Sequence, residues 1–157
     1  MESLSVREVI EQAVQTEKLG YEFYVAMAKK FGKDEKLKKL FETLAGKEQL
    51  HEKIFKELLD IVSDEEPENW EEASQYMRAI VESEFFLGKN KSLPSLKHLK
   101  TREDAVNFAL GFEKETLLYF YSLRDAVRKK EILDEIISDE RGHIKWLSAF
   151  GKTIGEY

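Results

Sequence analysis

Two Glu-x-x-His pairs, Glu48/His51 and Glu140/His143, each lie inside a long amphipathic stretch. Residues three apart on a helix share a face, so each pair can aim a carboxylate and an imidazole at one point. A second amphipathic stretch precedes each pair and carries one glutamate at apolar spacing, Glu17 and then Glu113. Four carboxylates and two imidazoles converging among apolar side chains are too costly to keep for packing alone. Metal ions would neutralise them. Carboxylate oxygen with imidazole nitrogen is the ligand mix of iron or manganese. Six side chains shared by two metals leave coordination positions open to dioxygen, peroxide or water. Two metals that each change by one electron suit two-electron chemistry, and O–O bond reduction more than redox-silent hydrolysis. One Glu-x-x-His alone is most often a solvated contact on a helix surface. Here there are two, each matched by a glutamate at similar depth, and they use two of the three histidines in the chain. The third, His98, lies near Pro94 in a loop and is expected at the surface.

Periodicity locates the elements that must position these residues. Ser5-Val-Arg-Glu8 is a capping box opening the first helix. Ile10, Ala13, Val14, Glu17, Tyr21, Tyr24 and Ala28 then recur at helical spacing. Gly32 breaks the pattern. A second helix begins near Asp34 and runs to the acidic linker Ser63-Asp-Glu-Glu-Pro67. A third, shorter helix is predicted from about Trp70 to Leu87, and Gly88 to Lys100 reads as loop. Thr101-Arg-Glu-Asp104 resembles an imperfect capping box, with Asp in place of the usual Glu. The stretch it opens carries Glu113, and a turn near Arg128–Lys130 leads to the last helix with Glu140 and His143. No sustained period-2 alternation competes, so the expected class is all-α.

The two halves echo one another. Ser5 to Glu17 and Thr101 to Glu113 both span 12 residues. Glu17-Lys18 is matched by Glu113-Lys114, each followed by aromatic residues. The midpoint of Glu17 and Glu48 falls at the Gly32 turn, and that of Glu113 and Glu140 falls just before the second turn. In antiparallel hairpins of straight helices, each pair of glutamates therefore stands level, away from the helix ends. The expected architecture is a four-helix bundle of two hairpins, joined by a long crossover that contains an extra short helix.

Length and composition bound the rest. A chain of 157 residues reads as a single domain over 1–157 with a real core. A net charge of -6, with both signs interspersed, argues against nucleic acid as a partner. The chain has no cysteine, which excludes disulfides, thiolate zinc sites and a rubredoxin-type iron site on it. No apolar run approaches the roughly 20 residues needed to cross a bilayer, and the N-terminus lacks a signal peptide's apolar core. A cytoplasmic protein with no membrane partner is expected.

The segments Thr16-Glu-Lys-Leu-Gly-Tyr-Glu-Phe-Tyr24, Leu44-Ala-Gly-Lys-Glu-Gln-Leu-His51, Phe112-Glu-Lys-Glu-Thr-Leu-Leu-Tyr-Phe-Tyr121 and Asp139-Glu-Arg-Gly-His143 resemble the ferritin-like, rubrerythrin-related di-iron carboxylate proteins. The resemblance covers nearly the whole chain. It implies two iron ions, with manganese or a mixed pair as alternatives. Glu17 and Glu113 would be terminal ligands, Glu48 and Glu140 would bridge, and His51 and His143 would each complete one iron. It implies a peroxidase-like oxidoreductase of oxidative-stress chemistry that acts on peroxide or dioxygen with a separate electron-donor protein. The alternative is a ferritin-type iron-storage protein with ferroxidase activity. A homodimer or higher homo-oligomer is expected. Two departures stand out: there is no rubredoxin domain, and Thr116 occupies the place where many rubrerythrins carry a further glutamate. Glu84, beside Phe85 and Phe86, is a candidate to approach the metals from one end of the bundle, with a surface carboxylate as the favoured reading. Tyr21, Tyr24, Tyr119 and Tyr121 are expected to be core aromatics, some with hydroxyls bonded to ligand carboxylates.

Overall fold

The hydrogen bonds at the helix starts show why the chain folds where its sequence says. Ser5 Oγ accepts from the Glu8 amide at 3.1 Å, and the Glu8 carboxylate accepts from the Ser5 amide at 3.2 Å. Thr101 and Asp104 make the same reciprocal pair, at 3.0 and 3.1 Å. The shorter aspartate thus closes the box that looked imperfect in sequence, and it also accepts from the Lys100 amide at 3.1 Å. The Thr101 amide, then that of Lys100, holds the Asp104 carboxyl below its usual range. Asp34 caps the second helix through the Leu37 amide.

The computed structural model describes residues 4–62, 66–83, 93 and 95–155. They form α1 (Val6–Lys30), α2 (Glu35–Ile61), α3 (Trp70–Val81), α4 (Arg102–Ala126) and α5 (Lys130–Gly155), with no strand among the described residues. α1 packs chiefly on α2, and α4 chiefly on α5. Tyr119 on α4 donates to the Val9 carbonyl near the start of α1, while Arg102 at the start of α4 pairs with Asp34 just beyond the end of α1. α1 and α4 therefore run antiparallel, and the two hairpin turns lie at opposite ends of the bundle. The connection from α2 to α4 has to span its length.

α3 belongs to that connection. It packs on α4 and buries Trp70, Met77 and Ile80, and the Trp70 indole donates to the Leu4 carbonyl at 2.6 Å. It is shorter than its spacing predicts. The helix ends at Val81, where the amides of Glu82 and Ser83 turn back to the carbonyls of Arg78 and Ile80. No glycine or proline marks that stop in the sequence. The remainder of the predicted helix, residues 84–87 with Glu84 among them, lies outside the described residues.

Two apolar clusters fill the bundle. One gathers Val6, Ile10, Phe55, Leu58, Phe120, Leu133 and their neighbours at one end. The other gathers Phe23, Met27, Leu37, Phe41, Phe112 and Leu147 at the opposite end. Between them every helix of the two hairpins turns polar side chains inward: Glu17, Glu48, His51, Glu113, Glu140 and His143 are all essentially inaccessible to solvent.

Candidate metal centre

All six residues singled out by spacing meet in this layer. The ligand atoms of Glu48, Glu113, Glu140 and His143 lie within 4.8 Å of one another, and so do those of Glu17, His51 and Glu140. Glu140 belongs to both sets. His51 Nδ1 stands 3.2 Å from Glu140 and 3.8 Å from Glu17. His143 Nδ1 stands 3.6 Å from Glu113 and 3.8 Å from Glu140. The two imidazole rings lie nearly parallel, 6.0 Å apart.

Close approach requires a missing side chain. A Cβ on Gly20 would come within 2.8 Å of Glu48 Oε2. Gly20 thus lets the α2 carboxylate lie directly against α1. Gly20→Ala should push Glu48 aside, lowering metal content below that of the wild type while the protein stays folded. Metal analysis beside a far-ultraviolet spectrum checks this.

The electrostatics are those of a set of charges awaiting a counterion. Among the described residues no well-aligned hydrogen bond satisfies either carboxylate oxygen of Glu17, Glu48 or Glu140, although they are buried and His51 stands beside two of them. Buried carboxylates are rarely left so. Burial pushes the Glu48 and Glu140 carboxyls well above their usual range, and the neighbouring glutamates push them further. Burial also acts on Glu113, but the neighbouring Glu140 and His143, with the Tyr24 hydroxyl, overcome it and hold that carboxyl down at about 2. Burial lowers the His51 imidazolium, and the flanking Glu140 and Glu17 more than reverse this, raising it to about 11. At Glu48, Glu140 and His51 the shifts all favour the protonated form.

Two residues orient the set. The Tyr24 hydroxyl, fully buried, donates to Glu113 Oε1 at 2.5 Å, and burial followed by the Glu113 charge raises its own pKa. Tyr24 thus bonds a carboxylate of the candidate set, as the sequence reading expects of some of the tyrosines. The other tyrosines differ. Tyr119 is buried but donates to the Val9 carbonyl, Tyr21 is half-buried, and Tyr121 is 43% exposed, against the expectation of a core place. Tyr121 sits eight residues after Glu113, about 80° round the helix from the inward face. The second orienting residue was not anticipated. Asp139 Oδ2 stands 2.9 Å from His51 Nε2. Its only sequence signal is its place next to Glu140. His98 is exposed, as expected, and touches the edge of Phe108.

A family model described as rubrerythrin matches residues 8–151 of the chain. This chain belongs to the rubrerythrin family. A crystal structure of a candidate ferritin-like diiron-carboxylate protein from Thermotoga maritima shares the fold, with a TM-score of 0.69 and 22% identity over 97% of each chain. No curated protein sequence matches the chain. For a rubrerythrin-family bundle the donor set fits a metal: hard carboxylate oxygens, two imidazole nitrogens, and buried atoms with no other partner. Among the described residues no helix is long and apolar enough to cross a membrane.

Thr116 departs from the pattern of many rubrerythrins and does so inside the bundle. It is 1% exposed, and among the described residues its hydroxyl meets no hydrogen-bond partner. The inward glutamates of the polar layer among the described residues are Glu17, Glu48, Glu113 and Glu140.

Proposed function

We propose that this rubrerythrin-family chain is a di-iron oxidoreductase that reduces hydrogen peroxide, and more slowly dioxygen, with electrons from a separate donor protein. The observation that carries the reading is Glu140, a fully buried carboxylate common to two ligand clusters. Glu140 and Glu48 would bridge, Glu17 and Glu113 would be terminal, and His51 and His143 would each complete one iron. When bound, the two irons supply one electron each for reduction of the O–O bond. The chain's own part is to hold them. The apolar clusters on either side keep bulk water from the layer, and Tyr24 fixes Glu113. Metal entry has to compete with the protons that the surroundings of Glu48, Glu140 and His51 favour.

The cysteine-free chain offers no thiolate for an iron relay of its own, so a donor must dock. The lysine-rich turns at Lys29-Lys30 and Arg128-Lys129-Lys130 offer positive charge on an otherwise acidic protein, and they lie at opposite ends of the bundle. One donor would use one of them.

Anaerobically loaded ferrous protein should consume peroxide over repeated turnovers when a chemical reductant is supplied, and faster than it consumes dioxygen. Stopped-flow and steady-state peroxide assays check this. Dioxygen consumption at least as fast, with a single turnover on peroxide and mineral accumulating beyond two irons per chain, would replace the reading with ferroxidase and storage.

A further inference from the structure

The two halves of the centre are not copies in their supporting residues. An offset of 92 residues carries Glu48/His51 onto Glu140/His143, and it carries Lys47 onto Asp139. An ammonium thus stands where the other half has a carboxylate. The consequence is visible across the bundle. His51 turns Nδ1 toward Glu140 and Glu17, and its Nε2 meets Asp139 at 2.9 Å. His143 turns Nδ1 toward Glu113 and Glu140, but its Nε2 is buried and meets no acceptor among the described residues.

A second break in symmetry involves the terminal glutamates. Tyr24, seven residues after Glu17, reaches across to Glu113, whereas the residue seven after Glu113 is Phe120, which has no hydroxyl to return. One oxygen of Glu113 therefore already accepts a proton, while both oxygens of Glu17 are left for another partner.

Both differences act in the same direction. A carboxylate behind a ligating imidazole fixes its tautomer and orientation and raises its basicity. A phenol on a ligating carboxylate withdraws electron density from it. Counting carboxylates does not reverse the order. Glu48 falls in the cluster with His143, but it also lies close enough to Glu17 to feel that carboxylate's charge, so it is within reach of both positions.

From this we infer that the two metal positions are unequal: the one served by His51 holds its ion more tightly, and Asp139 is the positioning residue that makes it so. The inference rests on the metal-centre reading above. The metals would be held in order, with the His143 position the one that fills last and empties first. Asp139 is partly solvent-accessible, with 34% of its side chain exposed, so its exchange for a neutral residue is not a cavity in the core.

The test is calorimetric titration of metal-free full-length protein with Co(II), followed in parallel by the visible absorption of the bound ion. Wild type should take up two ions in steps separated by about tenfold or more. Asp139→Ala should weaken the tighter step by about 10- to 100-fold and leave the other nearly unchanged, so that the steps merge. Asp139→Asn, whose amide oxygen can still accept from Nε2, should recover much of the separation. Lys47→Asp should strengthen the weaker step by supplying the acceptor that His143 lacks. His51→Ala should remove the tighter step and its absorption change. Two ions bound in one indistinguishable step, or a loss shared equally between steps in Asp139→Ala, would overturn the inference and leave the metal centre standing. Failure of wild type to bind two ions would overturn both.

Discussion

Raising the pH from about 5 to about 8 should lower the melting temperature of the metal-free protein and raise that of the protein in a fixed excess of metal, so that the gap widens. The signs follow from the groups in the polar layer. Glu48 and Glu140 are raised above the 4.5 of an ordinary glutamate, by burial first and by the neighbouring carboxylates second. A carboxyl raised on folding favours the fold fully below its unfolded value and loses that contribution as pH climbs through the folded one. His51, raised from 6.5 to about 11, contributes below 6.5 and loses that contribution as pH rises through about 11. Glu113, lowered to about 2, acts the other way, but its contribution is complete above 4.5 and lost only as pH falls toward 2. Over the window of the experiment the losses therefore dominate. Metal reverses this, because it binds the deprotonated ligands and competes with fewer protons as pH rises. At free metal about a hundred times the dissociation constant, each ion adds roughly 2.7 kcal/mol. Two ions, at about 2–4 °C per kcal/mol for a chain of this size, should separate the melting temperatures by roughly 10 to 20 °C near neutral pH. Scanning calorimetry of chelator-treated and loaded samples at several pH values measures both slopes. Coincident melting curves would contradict a buried, convergent site.

Glu140→Ala should cost at least as much metal as any other single truncation in the layer. Glu140 is the carboxylate common to both clusters, whereas Glu17 and Glu113 each belong to one. Its loss removes a ligand from each position and the acceptor facing His51 Nδ1 at 3.2 Å. We expect the loaded variant to retain almost no metal after gel filtration, and Glu17→Ala to retain about one ion. Glu48→Ala should fall between them or join Glu140→Ala, according to how far Glu48 serves the Glu17 side. Elemental analysis decides. Two ions kept by Glu140→Ala would dismiss the bridging role.

The six inward charges were legible in the sequence because the helical period alone brings Glu17, Glu48, His51, Glu113, Glu140 and His143 onto apolar faces, and the turn positions alone set them level. The orienting residues were legible only in part. Tyr24 lies seven residues from Glu17, on the same face, and its burial follows from that. That its hydroxyl would choose Glu113 on α4 over Glu17 on its own helix is a matter of packing between hairpins. Asp139 was out of reach for the same reason. Position i−1 to a ligand points away from it on its own helix, and only the neighbouring α2 turns that direction into a contact with His51. Tyr121 shows the converse error, an aromatic residue assigned to the core by its company and not by its phase. The end of α3 rests on hydrogen bonds of Glu82 and Ser83, which leave no mark in composition.

The membership of the two clusters says something further about how the bundle comes apart. Neither set of ligand atoms is drawn from one hairpin. His51 and Glu17 from the first meet Glu140 from the second, and Glu48 from the first meets Glu113, Glu140 and His143 from the second. Each hairpin has its own turn, and its two helices lie chiefly against each other, while both apolar clusters run across the seam between hairpins. Bound ions would therefore act as rivets driven through a seam that apolar packing has already closed. With the rivets out, what holds the middle of that seam is reduced to contacts such as Tyr24 to Glu113 and His51 to Asp139, so loss of metal would be felt there before it is felt at either apolar end.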